Sequence, residues 1–458
     1  MSLLANVILP AAAGRAAQAP CDVVLTPTHE KTIAQSAHPE PPSLLLPALC
    51  HPHVHLDKPY ILTCNHRPGP SSQHPDYSDL HPKSGAFDEA LANTTRAKQR
   101  YTEADLYLRG SQLLANSYSH GVSSLRAFVE IDHVTGTAPL AAAIRLKHEF
   151  SHLLHLQICV FAQDPLFSTE HGEQNRSIIA SVLGDFAGSV DALGTTPYVE
   201  DSREASLRNI EWAVRTSIKH QVHLDFHLDY NLKPPNSPND QPLVYSVVDL
   251  LQKHDWITCA KPSMTIVLGH CTQLTVLQSE FQQLAKRIID SGLPIHFVGL
   301  PTSDLFMMGR PGAQGTTHAR PRGTLQVPAM IKELGLSACL GINNVGNAFT
   351  PYGNADPLQL ASWGVGIYQA GTSEDAELLY GCVSWRARQA IGLDRGPDAS
   401  FSLSTGQRWQ TMLLVKNLST YSLPGALDQA TLQVPARQRL AIKDVVWDPP
   451  DTQLRMLV

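Results

Sequence analysis

Apolar runs that end in polar residues recur along the middle of the chain. They fall at 44–59 (LLLPALCHPHVHLDKP), 121–132 (GVSSLRAFVEID), 156–164 (LQICVFAQD) and 192–201 (ALGTTPYVED). Four more follow at 222–230 (VHLDFHLDY), 263–271 (SMTIVLGHC), 294–304 (PIHFVGLPTSD) and 337–349 (SACLGINNVGNAF). Such runs are the pattern of strands covered on both faces. Helical periodicity fills the gaps. The segment 102–120 opens on a capping Thr102 with Asp105 three residues later and stops before Gly121. In 202–220, Leu207, Ile210, Val214 and Ile218 share one helical face. The segments 273–291 and 326–334 continue the rhythm. Eight strands separated by helices predict parallel pairing with right-handed crossovers, and eight is the number that closes a (β/α)₈ barrel.

The flanks read differently. Residues 1–43 and 397–458 hold short β-like pieces without helical period, which predicts a small β-sandwich domain built from both termini around a barrel of 44–396. Three long connections, 59–100, 231–242 and 309–323, are lid candidates, because loops after the strands line the active face of such a barrel.

Composition narrows the class. The chain has 458 residues, 43% hydrophobic and 17% charged, and a formal net charge of −6. Mild acidity gives no footprint for nucleic acid or an anionic membrane surface. No apolar run approaches the ~20 residues that span a bilayer. No basic stretch precedes the short apolar segment at the start, so no signal peptide is expected. The eight cysteines stand singly, which fits a reducing cytoplasm rather than a disulfide scaffold. The partner expected is a small molecule, and self-association into a homo-oligomer is open.

The 21 histidines are in excess, and their placement is informative. In His51-Pro52-His53-Val54-His55-Leu56-Asp57, alternation sets His51, His53, His55 and Asp57 on one strand face. At the C-terminal end of a barrel strand, His53 and His55 form a metal pair, with His51 deeper and structural. The second run, His223 to Tyr230, places His227 and Asp229 near the mouth. His270 ends an apolar strand, where an ionisable group needs a partner. Cys271 alternates to the opposite face and reads as a small buried residue.

These segments, in order, resemble the amidohydrolase superfamily, specifically its cytosine deaminase-like branch. The matching stretches are PALCHPHVHLDKP, QICVFAQD, ALGTTPYVED, HLDFHLDY, VLGHC, DLFMMGR and GINNVGNAF. The resemblance covers roughly 44–393 and implies a barrel with one catalytic divalent metal, zinc ahead of iron. It carries metal ligation to His53, His55 and His227. It assigns His270 to substrate or metal-bound water, and Gln163 to reading the substrate ring. Two departures stand out. The family's metal-binding aspartate after strand eight is Asn343 here, a weak ligand and a very poor base. The family's glutamate three residues past the strand-five histidine is Tyr230, whose unperturbed pKa is ~10.

Replacement groups are at hand. Asp229, Asp57, Asp164 and Asp304 all sit at strand ends and are candidate bases, with His270, Tyr230 and Asp229 as the catalytic set. Gln163, Asp304, Arg310 and Asn344 are candidate substrate contacts, and Asn343 is a fourth metal donor. Arg310, Arg320 and Arg322 could neutralise an acidic substituent. Three functions follow. The first is a metal-dependent enzyme of specialised metabolism, hydrolysing or deaminating a C–N bond of a small cyclic or amide-like substrate. The second is a repurposed barrel running a cyclisation, elimination, decarboxylation or isomerisation with weak or no metal. The third is a non-catalytic binding protein.

Overall fold

A computed structural model describes residues 2–9, 19–25, 31–38, 40–64, 74–237, 240–277, 279–310, 322–393, 410–426 and 431–458. Four strands come first: β1 (Ser2–Ile8), β2 (Cys21–Leu25), β3 (Lys31–Gln35) and β4 (Ser43–Pro47). Eight then form one parallel sheet in chain order. These are β5 (Leu49–His55), β6 (Val122–Glu130), β7 (His155–Ala162), β8 (Ala192–Thr195), β9 (His223–Leu228), β10 (Ile266–His270), β11 (Ile295–Gly299) and β12 (Ala338–Leu340). Its two ends meet through a bridge between Val54 and Asn343, where the His55 amide donates to the Asn343 carbonyl (2.9 Å) and the Asn343 amide to the His53 carbonyl (3.0 Å). The barrel is therefore completed at the level of the histidines, and the eight predicted runs are its eight strands.

The helix expected at 102–120 is Glu103–His120, with Thr102 accepting from the Asp105 amide. It ends at Gly121, whose φ of +94° is one that favours glycine. The helix expected at 202–220 is Arg203–His220, capped by Ser202. Some elements were not anticipated, among them the helix Ile442–Trp447 in the tail that reads as β-like. The loop 59–100 contains the helix Phe87–Lys98, with Asp88 and Glu89 in its first turn and Arg96 and Lys98 in its last. That charge order complements the helix dipole.

The run 44–59 also divides. Ser43–Pro47 pairs with β1 and β13 (Met412–Val415), and the barrel strand begins only at Leu49. The small β domain takes strands from both ends of the chain, as expected. It is one six-stranded sheet, ordered β16–β13–β4–β1–β2–β3, with β16 at Arg455–Leu457. A separate hairpin joins β14 (Thr420–Pro424) to β15 (Thr431–Pro435). Leu44, Leu46, Leu413 and Val415 on one face of this sheet enter the main core beside the barrel helices. The other face buries Val7, Val23, Leu45 and Met412. The barrel thus supplies the layer that a second sheet would supply in a sandwich.

Inside the barrel, below the histidines, Arg126 is fully buried. It donates to Asp225 Oδ2 (3.1 Å), Gln157 Oε1 (3.0 Å) and the Ile391 carbonyl (3.3 Å). A buried guanidinium is tolerable only when so satisfied. Burial pushes the Asp225 carboxyl up to about 7, against the pull of Arg126.

Candidate active site

The site grows out of an irregularity in β5. Cys50 pairs with Ser124 and His51 with Leu125, but the register then shifts so that Val54 pairs with Ala127 and His55 with Phe128. The extra residue, at Pro52-His53, is a bulge, and it resets which side chains face inward. His53 and His55 enter the barrel. His51 faces the other way, toward His120 and Asp356, and burial holds its imidazole down at about 3. The expectation that His51, His53 and His55 share a face is therefore corrected, because strict alternation does not survive the bulge.

His227, from the end of β9, completes a triad. Its Nε2 lies 3.0 Å from His53 Nε2 and 3.3 Å from His55 Nε2. The three residues are buried, and burial keeps all three imidazoles far below their ordinary pKa, hence neutral at pH 7. Neutral imidazole is the form that binds a metal. Phe128 and Phe161 back the rings, with centroids 4.2 Å from His53 and 4.5 Å from His227. Two glycines make the space. A Cβ on Gly269 would come within 3.0 Å of His53 Cε1, and one on Gly341 within 3.3 Å of His53 Cβ.

Asn343 follows the closing bridge with a left-handed φ of +63°. Its side chain lies beside His53 and His55. Its Nδ2 donates to Ser303 Oγ (2.9 Å), which is in turn 2.7 Å from Thr350 Oγ1. Its Oδ1 is buried without a hydrogen-bond partner.

His270 ends β10, also with a positive φ of +64°. Its Nδ1 meets Asp304 Oδ1 at 2.9 Å, and Thr324 donates to the second oxygen at 2.7 Å. A carboxylate accepts, so the ring proton sits on Nδ1. That leaves Nε2 toward the triad, whose His227 and His53 rings lie 5.3 and 6.3 Å away. The structure thus makes Asp304 the partner of His270 rather than a substrate contact. The Tyr230 ring packs 3.9 Å from His270, and its buried hydroxyl has no partner.

Beside the triad lies a second group of polar residues, at the ends of β5 to β7. Lys58 donates to Glu130 Oε2 (3.0 Å) and Gln163 Oε1 (3.4 Å). An ammonium can only donate, so it fixes the Gln163 amide with the oxygen toward Lys58. The NH₂ of Gln163 makes no hydrogen bond among the described residues. Behind them, Lys98 reaches Glu130, Asp132 and Asp164 at 2.6, 2.6 and 2.9 Å. These three carboxylates are close enough to hold a cation, and the ammonium of Lys98 stands among them. Lys58, Lys98 and Glu130 escaped the sequence reading. The one available signal was a lysine directly after the His-x-His-x-Asp run.

Other expected site residues lie elsewhere. Asp229 is turned away from the triad: its two oxygens accept from the Leu243 and Val244 amides (2.8 and 3.2 Å). They cap a helix whose preceding residue, Pro242, offers no side-chain cap. Arg310 donates to the Ser84 carbonyl (3.0 Å) and covers Phe306, tying two mouth loops together. Arg322 donates to the Leu305 carbonyl, and Arg320 lies outside the described residues. Asn344 accepts from Asn347 (2.7 Å) and lines a narrow cavity with Thr302 and Tyr352. Asp57 is buried beside Lys58 at 3.6 Å, and Asp164 is taken up by Lys98. Cys271 is buried in the main core, as expected.

No family model matches the chain. It is 21% identical over 410 residues to the N-isopropylammelide isopropyl amidohydrolase of Pseudomonas sp. (strain ADP), spanning 88% of this chain and 87% of that one. Its fold matches the 5-methylcytosine deaminase of Klebsiella pneumoniae with a TM-score of 0.72 at 18% identity, covering 90% and 91% of the two chains. It matches the N-isopropylammelide isopropylaminohydrolase of Burkholderia multivorans at 0.64 and 18%, covering 91% and 92%. An adenosine deaminase of Xanthomonas campestris with bound zinc superposes at 0.54 and 11%, covering 90% and 84%. Sequence and fold together support the resemblance to the amidohydrolase superfamily and its cytosine deaminase-like branch. No helix among the described residues is long and apolar enough to cross a membrane.

Proposed function

We propose that this chain is a metal-dependent hydrolase acting on a C–N bond of a small cyclic or amide-like substrate. His53, His55 and His227 would hold one divalent ion, with Asn343 Oδ1 as a neutral fourth donor. One observation carries the reading: three buried, neutral imidazoles aim Nε2 at a common point. Zn–N bonds of ~2.0–2.1 Å in a tetrahedral site put ligand nitrogens ~3.3 Å apart, and the spacings here are 3.0 and 3.3 Å. An iron site of the two-histidine type needs a carboxylate, and here that position holds an amide, which favours zinc.

When bound, the ion supplies Lewis acidity and an activated water. The chain supplies the rest. Asn343 cannot take a proton, and Asp229 is occupied as a cap. His270, with Nδ1 held by Asp304, presents the basic nitrogen nearest the triad. Gln163 offers its NH₂ to a carbonyl or ring nitrogen of the substrate while Lys58 holds its oxygen. Tyr230 places a neutral hydroxyl, kept protonated by burial, where the family has a carboxylate. The relatives named above act on N-alkylated or amino-substituted rings, which supports the C–N class.

Neutral residues at 343 and 230 favour a second reading, a non-hydrolytic step in the same pocket. Turnover in ¹⁸O-labelled water separates the two, with cytosine, 5-methylcytosine and N-isopropylammelide as trial substrates. Hydrolysis is expected to leave one ¹⁸O in the ring product as amine or ammonia is released, and His227→Ala to abolish it. Turnover without label, unaffected by that substitution, would establish the second reading.

A further inference from the structure

The mouth of the barrel is divided by chemistry. The ends of β5, β6 and β7 are polar, carrying Lys58, Glu130 and Gln163 in the network described above. The segments after β8, β9 and β12, together with the helix Phe87–Lys98, are aromatic. Tyr198, Tyr230, Phe349 and Phe87 come from four separate connections and converge. Phe87 lies 5.9 Å from Tyr230, 6.2 Å from Tyr198 and 6.0 Å from Phe349, and Tyr198 lies 5.9 Å from Tyr230. Ala90, Met307 and Ala348 are buried in the same cluster, Leu91, Phe306 and Met308 pack against it, and none of these side chains is charged. Through Tyr230 it runs onto His270 and so onto the triad.

Loops at a barrel mouth are where substrate is read, and a pocket wall selects by what it leaves unpaired or dry. A small, wholly polar ring held at Gln163 would leave this largely aromatic cluster unmatched. The buried Tyr230 hydroxyl, without a partner, adds a polar contact inside the aromatic wall. We infer that the substrate is amphipathic: a flat ring presenting a carbonyl or ring nitrogen to Gln163, and bearing an apolar substituent of aryl or branched-alkyl size that packs among Phe87, Tyr198, Tyr230 and Phe349. This rests on the hydrolase reading for the location of the reacting ring, and it names the substrate class that reading leaves open.

Matched pairs of cyclic imides that carry no hydrolysable amine test it on the full-length, zinc-loaded protein. Uracil is compared with 5-benzyluracil and 6-benzyluracil, and hydantoin with 5-benzylhydantoin, by isothermal titration calorimetry. A benzylated member is expected to bind at least about tenfold tighter than its parent. Phe87→Ala should reduce that ratio to within about threefold, Phe87→Leu should retain most of it, and Gln163→Ala should weaken parent and benzylated members alike. Circular dichroism establishes that each variant is folded. Parents binding as tightly as every benzylated partner, or no member binding at all, would overturn the inference. Failure of the hydrolase reading shows separately, in the ¹⁸O experiment, because these ligands carry no exocyclic amine to release and product analysis of each titration mixture checks that their ring C–N bonds stay intact.

Discussion

Replacing Lys98 by methionine is expected to be the most destabilising single change outside the barrel core. Its ammonium sits 2.6 to 2.9 Å from three carboxylates. Methionine keeps much of the stem's volume, so packing is largely preserved and the effect isolates the charge. Glu130 and Asp132 would be left buried without that partner, and only Asp164 has substantial access to water. Breaking a buried ion cluster by removing one partner costs ~3–5 kcal/mol, much of it the desolvation of the charges left behind. A second consequence is local. Lys98 is the last residue of the helix that carries Phe87, so the helix would lose its anchor on the barrel. Urea unfolding checks the first effect, and amide exchange across 87–98 the second. A loss below about 1 kcal/mol would mean that water enters the cluster and that Lys98 is not its keystone.

Asn343→Asp is expected to act in the opposite direction once metal is present. The amide oxygen beside His53 and His55 becomes a charged ligand, and Ser303 can turn its hydroxyl to donate to the new carboxylate. Zinc affinity should rise by at least about tenfold, since anionic donors bind divalent cations better than amides do. Each tenfold gain adds about 1.4 kcal/mol of zinc-linked stability. Without metal the variant should be less stable than the parent, because it buries a carboxylate that has no positive partner. If turnover is hydrolytic, a well-placed base adds ~10²–10⁴-fold. Competition with a fluorescent zinc chelator and melting with and without zinc measure these effects. Unchanged zinc affinity would show that Asn343 does not face the ion.

Much of this was legible in the sequence because barrel strands alternate and end at the mouth. That rule alone brought His53, His55 and His227 together from segments 172 and 174 residues apart, and placed His270 beside them. It failed where the backbone departs from regular pairing. His51 left the face because the bulge at Pro52-His53 inserts one residue, a local event with no periodic signature. Asp229 was lost to a competing demand, the bare amides of the helix starting at Leu243. Asp304 sits on a turn of helix after β11, where strand alternation says nothing about direction. The Lys58–Glu130–Lys98 network joins two residues of the long β5–β6 connection to the last residue of β6, at separations of 72 and 32 residues, so no spacing announces it. The helix Phe87–Lys98 lies in a stretch whose proline, serine and histidine content reads as loop. Its acidic first turn and basic last turn were the cue present.

The central claim is that three imidazoles meet around one ion. Anomalous scattering at the zinc edge, from crystals grown with one equivalent of zinc, tests it most directly. A single peak ~2.0–2.1 Å from the Nε2 atoms of His53, His55 and His227 is the predicted result. A triad with no peak, or zinc held only among Glu130, Asp132 and Asp164, would contradict it.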